Sequence, residues 1–269
     1  MSRLRALLLA LITLICLLPI LWTLMAAFGL QPDNTVSPVL WRDGLNIDAF
    51  VEIGEMQTYF WLQLGTSLLV STASSGIAIA TGFLAAYGLA RSRIFGRRVI
   101  VQSLLILASL PAIAYLLALR DLLRYVRLFD TLPGVILAQS TLLAPLAAFV
   151  LYGYIARSPR DTEEAARLDG ASLGGLLWRV VLPSQMPGIV ATAVILFILS
   201  YNQFFLPLLL TETRIKLMPV IMRDFFTLER DFDWGMAAAV IVITIAPVLA
   251  LAGTAHRTLQ RFSFGLEDE

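Results

Sequence analysis

Six long apolar stretches constrain the fold of this chain more than any other feature of its sequence. A helix rises about 1.5 Å per residue, so each stretch can cross a hydrocarbon layer about 30 Å thick. Backbone groups in lipid must satisfy one another, and the alternating pattern of a membrane barrel is absent, so helices are expected. The sequence therefore predicts an all-α membrane protein, a single domain over 1–269. Its six transmembrane helices are predicted near 6–28, 64–90, 99–119, 133–155, 188–210 and 235–255.

The composition agrees with a lipid environment and excludes several classes of protein. Of the 269 residues, 58% are hydrophobic and 14% are charged, whereas soluble domains have about 45–50% apolar and about 25% charged residues. Too little polar surface remains for a water-soluble enzyme. A net charge of +1 provides no basic field for nucleic acid. The single cysteine, Cys16, permits neither an internal disulfide nor a cysteine-based metal site.

The basic residues between the stretches predict the orientation of the chain. The first stretch could be read as a signal peptide, but its apolar run exceeds about 20 residues and no A-x-A site follows, so we expect a membrane helix. Twelve Lys and Arg residues lie in one set of segments, which comprises the N-terminus, the connections at 91–98 and 156–187, and the tail. The other three connections carry 8. Because Lys and Arg accumulate on the cytoplasmic side, both termini are predicted to be cytoplasmic.

The centres of the predicted spans contain no Asp, Glu, Lys, Arg or His. Carriers driven by protons or sodium usually need such groups, so this class is disfavoured. Uncharged polar residues that could serve a neutral, hydroxyl-rich solute are present instead. Among them are Gln102, Gln139, Tyr201, Asn202 and Gln203, and the last three form the most informative cluster. Pro207 cannot donate to the carbonyl of Gln203, so a kink is expected there. These side chains line a solute pathway or bond neighbouring helices, and both interpretations remain open.

Small residues recur every fourth position in the second span. Close helix packing is the expected reason, with a solute path as the secondary interpretation. The two stripes are Ser67, Ser71 and Ser75, and Ser74, Ala78, Gly82, Ala86 and Ala90.

Enzyme classes are disfavoured by the residues that they would require. A phosphate-binding P-loop needs G-K-[ST], but the one lysine, Lys216, follows Ile215. A zinc site of the H-E-x-x-H type needs two histidines, and the chain has His256 alone. No G-x-S-x-G motif occurs. We therefore expect no catalytic residues, no metal site and no cofactor on this chain.

The connection 157–187 is the polar part of the second half of the chain. Ser158 can cap a helix that starts with Pro159 and stops at Gly170, and a second short helix is expected from Ser172 to Leu182-Pro183. A helix of about ten residues is marginal alone in water. Its paired alanines and glutamates suit a groove of another protein, and a helix lying on the membrane surface is the alternative.

The run EEAARLDGAS, followed by VVLPSQMPGI, resembles the EAA loop of binding-protein-dependent ABC importer permeases, in the carbohydrate group that contains the smaller maltose permease subunit. LFDTLPGVIL (128–137), YNQFFLPLLLT (201–211) and LQRFSFGL (259–266) are similar to further segments of that family. The sequence departs from the family's usual pattern at several positions. It has Thr66-Ser67 in place of Asn-Ser, Tyr201 in place of Trp and Gln203 in place of Glu, and its tail stops soon after the Gly-Leu. The EAA pattern is matched by Glu164, Ala165, Ala166, Asp169, Gly170, Ala171, Leu182 and Pro183.

The resemblance implies a type I ABC importer permease fold with a cytoplasmic coupling helix. It implies a multi-pass protein of the bacterial cytoplasmic (inner) membrane that transports a sugar or a sugar-like neutral solute. The implied partners are membrane lipid, a second permease subunit that forms a heterodimer with this chain, an external solute-binding protein and an ABC ATPase dimer. ATP and Mg would be bound by the ATPase, so the chain itself would be a transporter subunit and not an enzyme.

The resemblance also assigns site residues. The helix that docks on the ATPase would use Glu163, Glu164, Ala165, Ala166, Asp169, Gly170, Ala171, Leu182 and Pro183. The solute pathway would use Tyr201, Asn202, Gln203, Phe205, Thr66 and Ser67.

Two other functions remain as alternatives. The first is a permease of the same architecture for a glycerol phosphate, a polyamine or an amino acid. A cationic solute would require intramembrane carboxylates, and an anionic solute would require arginines or helix N-termini. The interiors of the predicted spans contain no such charges. The second alternative is a membrane-embedded enzyme or assembly factor.

Overall fold

The computed structural model describes residues 2–30, 32–33, 37–41, 44–55, 58–111, 113–212, 215–225 and 234–264. The chain divides into two compact units. One comprises Met1–Gly65 with Met218–Leu249, and the other comprises Thr66–Leu217 with Ala250–Glu269. The predicted docking helix, the 91–98 connection and the 201–205 segment all lie in the second unit.

The first unit begins with the apolar helix α1 (Ser2–Ala27), followed by a short antiparallel strand pair, β1 (Pro32–Asp33) and β2 (Ser37–Trp41), and helix α2 (Asp48–Glu55). The chain turns after α1 at Gly29, where φ is +84° and a Cβ would approach the side chain of Asn46 to 2.7 Å. This unit also contains helix α12 (Met218–Phe225).

The second unit contains most of helix α3 (Thr58–Arg91), then α4 (Arg97–Ser109), α5 (Ile113–Tyr125) and α6 (Leu132–Arg157). The predicted docking helix is α7 (Asp161–Leu168). It is followed by α8 (Leu173–Leu176), a π-helical turn (Leu177–Val181) and α9 (Leu182–Ser184). Then come α10 (Met186–Tyr201), α11 (Phe205–Leu210) and the last part of α13 (Trp234–Phe264).

Among the described residues, four helices are long and apolar enough to cross a membrane, over Arg5–Ala27, Tyr59–Arg91, Leu132–Arg157 and Trp234–Gln260. The count becomes six if each of two bent helix pairs forms one span. One pair is α4 with α5, bent by 88°, and the other joins Leu173–Ser184 to Met186–Tyr201 at 76°. The helical architecture agrees with the predicted fold class.

The stretch predicted as one span at 99–119 is divided between α4 and α5. Leu110 has extended backbone angles, φ −65° and ψ 133°, and it directly precedes Pro111. A proline disfavours the helical conformation of the residue before it, which accounts for the end of α4 at this point.

The stretch predicted at 188–210 is also divided, because α10 ends at Tyr201 and α11 begins at Phe205. Pro207 lies in the first turn of α11, where its missing N–H is tolerated. The Asn202 side chain donates from Nδ2 to the carbonyl of Ile198 (2.9 Å). The kink expected near Pro207 is therefore a break of the helix just before it.

The small-residue stripe of α3 packs against α6. Ala78 and Ala86 are fully buried. A Cβ added to Gly82 would lie 2.6 Å from the Cβ of Ala147 and 2.8 Å from the backbone nitrogen of Ala148. Helices α3 and α6 are so close at Gly82 that any larger side chain there would displace α6. This close approach agrees with the prediction that the small residues serve helix packing.

Candidate functional site

Helix α7 ends where its sequence predicts. Gly170 has φ +81°, a conformation that glycine adopts without strain. Its N–H donates to the carbonyl of Arg167 (3.1 Å), and the N–H of Ala171 donates to the carbonyl of Ala166 (3.0 Å). These two bonds form a Schellman motif, which satisfies carbonyls left open at the end of the helix. The position of Gly170 therefore fixes the direction of the chain after α7.

The start of α7 differs from the prediction. Ser158 ends α6, with its N–H donating to the carbonyl of Ile155 (3.3 Å), and α7 begins at Asp161 after Arg160. No side-chain hydrogen bond caps α7 within the described residues. Acidic residues in the first turn, Glu164 among them, provide the favourable charge at the positive end of the helix dipole. The prediction of Ser158 as the helix cap was therefore wrong.

Glu163 is anchored inside the protein. Its Oε1 accepts hydrogen bonds from Arg91 Nη2 (2.6 Å) and Arg91 Nε (2.9 Å), and its Oε2 accepts one from the hydroxyl of Tyr87 (3.2 Å). The side chains of Arg91 and Glu163 are 7% and 9% exposed. Arg91 also donates to the carbonyl of Ser158 (3.3 Å). One arginine of α3 thus holds both the end of α6 and the first turn of α7.

A second contact joins α7 to α3, because Arg167 Nη2 donates to the hydroxyl of Tyr87 (3.2 Å). Tyr87 belongs to a buried apolar cluster that α3 shares with Leu151 of α6 and with Leu176 and Val181 of the following helical segment. We call the group of Tyr87, Arg91, Glu163 and Arg167 the α7 anchor. It connects a short surface helix directly to the end of a long one.

The opposite side of α7 is exposed. Leu168 is 89% exposed, and Leu173 and Trp178 in the next segment are 65% and 73% exposed. Large apolar side chains left in water are unfavourable and mark contact surfaces when they cluster. We give the name α7 face to a set of exposed residues between positions 164 and 173. Its members are Glu164, Ala165, Leu168, Asp169, Gly170, Ala171 and Leu173.

The predicted docking residues are therefore divided by the structure. Glu163 is buried in the α7 anchor, Ala166 is half-buried against the apolar cluster, and Leu182 is also half-buried. Pro183 is exposed, at the far end of the second helical segment. Leu173 and Trp178 were missed. Several other apolar residues surround them in the sequence, for example Leu176 and Val181, which are buried, so the sequence alone did not single out the two exposed ones.

The second helical segment starts after Ser172, as predicted, and it ends at Ser184, one residue beyond the predicted end at Leu182-Pro183. The Ser172 hydroxyl accepts from the N–H of Gly175 (3.2 Å), and the helical path continues through Pro183 to Ser184. Pro183 occupies a first-turn position of α9, where a proline is compatible with a helix.

The predicted solute-pathway residues near the break differ in exposure. Tyr201 is buried, with its ring stacked 5.7 Å from that of Phe197. Asn202 and Phe205 are exposed, and Gln203 is half-buried. The side chains of this cluster consequently do not share one environment.

Thr66 and Ser67 lie on α3, half-buried and buried respectively. One turn further along α3, Val70 belongs to the same buried apolar cluster as Leu206 and Leu210 of α11. The helix that carries Thr66 and Ser67 therefore shares a core with α11, the helix that begins at Phe205.

A buried polar contact next to this region was not among the predicted site residues. The Ser200 hydroxyl donates to Gln139 Oε1 (2.6 Å), joining α10 to α6, and both residues are buried. Gln139 Nε2 has no hydrogen-bond partner in the part of the chain that is described. A glutamine inside an apolar span was the available signal.

A second group of charged residues joins α5 to the residues that follow α11. Glu212 Oε1 accepts hydrogen bonds from Arg120 and Arg124 of α5, each at 3.2 Å. Asp130 Oδ1 accepts from the N–H of Glu212 (3.1 Å). The guanidinium of Arg124 lies 4.5 Å from the centre of the Phe129 ring. We call this group the α5 cluster.

These features define a helical membrane protein in which a short helix, α7, is anchored on one side and exposed on the other. The sequence pattern of the family described as "Binding-protein-dependent transport system inner membrane component" matches residues 78–262. The chain belongs to this family. It is a permease subunit of an ABC transporter located in the inner membrane, and it is not itself an enzyme. Its family implies an ATPase and a solute-binding protein as partners.

Two relatives illustrate the similarity. The trehalose transport system permease protein SugB of Mycobacterium tuberculosis is 33% identical over 237 residues, which cover 85% of this chain and 84% of the relative. The trehalose/maltose transport system permease protein MalG of Thermococcus litoralis is 28% identical over 247 residues, which cover 90% of this chain and 87% of the relative.

Solved structures show the same fold. A chain of a bacterial ABC transporter involved in the import of the acidic polysaccharide alginate superimposes with a TM-score of 0.80 at 21% identity, over 95% of both chains. A chain of the MetNI methionine ABC transporter in an inward-facing conformation gives a TM-score of 0.62 at 18% identity, over 77% of this chain and 97% of that one. The type I permease fold expected from the sequence is therefore confirmed.

Proposed function

We propose that this chain forms half of the passage of an ATP-driven importer for a sugar or a sugar-like neutral solute. The α7 face would be the surface that docks on the ATPase. The observation that carries this proposal is the two-sided arrangement of α7, which exposes acidic and apolar side chains while its Glu163 is held by Arg91 of α3.

This arrangement suits the transmission of movement. An ATPase that binds the exposed side of α7 would displace the helix as a unit. Because Arg91 joins Glu163 to α3 and also bonds the carbonyl of Ser158, that displacement would reach α3 and α6 together. The α7 anchor thus supplies a short mechanical connection between docking and the spans.

The proposed solute pathway combines Tyr201, Asn202, Gln203 and Phe205 with Thr66 and Ser67. The break between α10 and α11 interrupts a helix in an apolar region, and interrupted helices in transporters are tolerated where they line a cavity. Amide and hydroxyl groups suit the hydroxyls of a sugar. Relatives named for trehalose and maltose transport support this class of solute.

The proposed assembly contains a second, non-identical permease subunit, a dimeric ATPase that binds ATP and Mg, and an external solute-binding protein. We further propose that both termini and the α7 face are cytoplasmic. The excess of basic residues on the connections at 91–98 and 156–187 supports this orientation.

Replacing Ala165 with Trp tests the docking role. Ala165 is exposed on the α7 face, so a bulky ring there would obstruct a partner without crowding the core. We expect the ATPase to be lost on purification of the complex, together with ATP-dependent uptake of labelled trehalose or maltose by cells. The matched control is Ala156→Trp, at an exposed position near the end of α6, which should retain the ATPase.

The result that contradicts the proposal is retention of both the ATPase and uptake in the Ala165→Trp variant. The solute is tested separately in cells from which this chain has been deleted. If the uptake of every neutral sugar is unchanged there while that of an amino acid or polyamine falls, the sugar assignment is wrong.

A further inference from the structure

The connection between α3 and α4 forms a depression of about 580 Å³ whose lining is rich in arginine. We call it the basic pocket. It lies beside the ends of two apolar helices, so in a membrane it would be at the level of the lipid headgroups. Its lining residues are Arg91, Ser92, Arg93, Ile94, Phe95, Gly96, Arg97, Arg98 and Arg160.

Among the described residues, most of the positive charge in the basic pocket has no acidic partner. Arg91 is paired with Glu163. Arg160 donates to the carbonyl of Ala90 (3.3 Å), a neutral acceptor. Arg93, Arg97 and Arg98 have no carboxylate within ion-pair distance anywhere in the described ranges. Several like charges around one depression repel one another, and a bound anion relieves that repulsion.

An apolar element lies next to these charges. The side chain of Phe95 is fully exposed, and that of Ile94 is 43% exposed. At the start of α4, Val99 is 64% exposed. An aromatic ring left in water is unfavourable, whereas beside a bilayer it can enter the boundary between headgroups and acyl chains. Charge and apolar surface together therefore match a molecule with an anionic head and a hydrocarbon tail.

We propose that the basic pocket binds the phosphate headgroup of an anionic phospholipid, with Phe95 inserted among its acyl chains. The site would lie in the cytoplasmic leaflet, whose anionic lipids attract basic segments near the membrane surface. This placement rests on the proposed function, which assigns the 91–98 connection to the cytoplasmic side. Arg91 lines the pocket and also holds Glu163, so the bound lipid would be next to the α7 anchor.

Native mass spectrometry of the complete transporter tests the proposal, with phosphatidylglycerol and phosphatidylcholine added in turn as probes. The variant is Arg93→Gln combined with Arg97→Gln, which removes two charges and leaves the α7 anchor intact. Each basic residue near an anionic surface contributes about 1 kcal/mol, so phosphatidylglycerol should bind roughly thirtyfold more weakly. Phosphatidylcholine should bind weakly to both proteins.

The matched control combines Arg157→Gln with Arg179→Gln. Both residues are exposed and lie outside the basic pocket, and their loss changes the net charge equally. The control should retain phosphatidylglycerol as the wild type does. An equal loss in both double variants would mean that net charge alone governs lipid binding, and it would overturn the proposal.

A third variant, Phe95→Ser, keeps every arginine and separates a lipid from a free anion. It should weaken the binding of phosphatidylglycerol, and inorganic phosphate should displace the lipid poorly from the wild type. Efficient displacement by inorganic phosphate, with no effect of Phe95→Ser, would show a simple anion site and contradict the proposal.

Measuring ATPase content in the same preparations keeps the two proposals distinguishable. If the wild-type complex retains its ATPase but shows no preference for phosphatidylglycerol, the lipid site is wrong and the docking role stands. If the ATPase is absent while the arginine-dependent lipid binding persists, the docking role fails and the lipid site stands.

Discussion

The α7 anchor and the α5 cluster both use arginine and glutamate to join distant parts of the chain, but their surroundings differ. Arg91 and Glu163 are 7% and 9% exposed and approach to 2.6 Å. Arg120 and Arg124 are 29% and 49% exposed, and each lies 3.2 Å from Glu212, which is 55% exposed. Water screens the second group far more than the first. Similar residue pairs should therefore have unequal consequences when they are broken.

The two groups also differ in how completely the carboxylate is satisfied. Both oxygens of Glu163 accept hydrogen bonds, from Arg91 and from Tyr87. In the α5 cluster the two arginines share a single oxygen of Glu212. A carboxylate that is buried and fully bonded loses those bonds without solvent to replace them, whereas an exposed one exchanges them for water.

The largest effect is expected from Arg91→Ala. Removing one partner of a buried pair leaves an uncompensated charge, at a cost of about 3–5 kcal/mol. We expect a lower midpoint of thermal unfolding for the purified complex and the loss of ATP-dependent uptake. Glu163→Gln should also lower the midpoint, because Arg91 keeps a hydrogen-bond acceptor but its buried charge loses its counter-ion.

A double variant, Arg91→Met with Glu163→Leu, sharpens this prediction. Replacing both partners of a buried pair by apolar residues is often neutral or stabilising. The double variant should thus be more stable than Arg91→Ala, and uptake then shows whether transport needs the ion pair itself. If Arg91→Ala unfolds at the wild-type temperature, the contrast between the buried and exposed pairs is wrong.

A smaller loss of stability is expected when Gly170 is replaced. The residues that follow α7 and α5 differ in how they adopt the left-handed backbone conformation. The left-handed conformation is adopted by glycine after α7 and by Arg127 and Asp130 after α5. A Cβ on Gly170 would meet nothing within 4 Å among the described atoms, so Gly170→Ala has only backbone strain, about 1–2 kcal/mol. Gly170→Trp adds a bulky ring on the α7 face.

The Ala and Trp variants should therefore lower the unfolding midpoint by similar amounts but differ in transport. We expect the Ala variant to keep most uptake, and the Trp variant to hydrolyse ATP without uptake or to lose its ATPase. Equal transport by the two variants would mean that the α7 face is not a docking surface at Gly170.

Local signals in the sequence were sufficient to predict that a short helix, α7, occurs in this connection and where it ends. Acidic residues, paired alanines and Gly170 define a short helix with a stop, and the structure has that helix over Asp161–Leu168. The inward position of Glu163 could not be predicted, because adjacent glutamates in a polar connection look equivalent. Which of the two points inward depends on the side of α7 that faces Arg91, and Arg91 is 72 residues away from Glu163 in the sequence.

Two of the mispredicted boundaries have reasons that involve neighbouring residues. Pro111 was present within a stretch long and apolar enough to be taken as one span, and the restriction on its preceding residue divided that stretch into α4 and α5. Ser158 has the side chain of a helix cap, but tertiary structure uses its backbone to end α6, where Arg91 bonds its carbonyl.

The smallest effect is expected from Glu212→Gln, which removes the carboxylate charge that pairs with Arg120 and Arg124. Exposed ion pairs contribute about 0–1 kcal/mol, and salt screens them. Arg124 would keep its contact with the Phe129 ring, so thermal unfolding and uptake should remain close to wild type. The difference in unfolding midpoint should shrink further as salt is added. A loss comparable to that of Arg91→Ala, and insensitive to salt, would show that exposure does not decide the strength of these pairs.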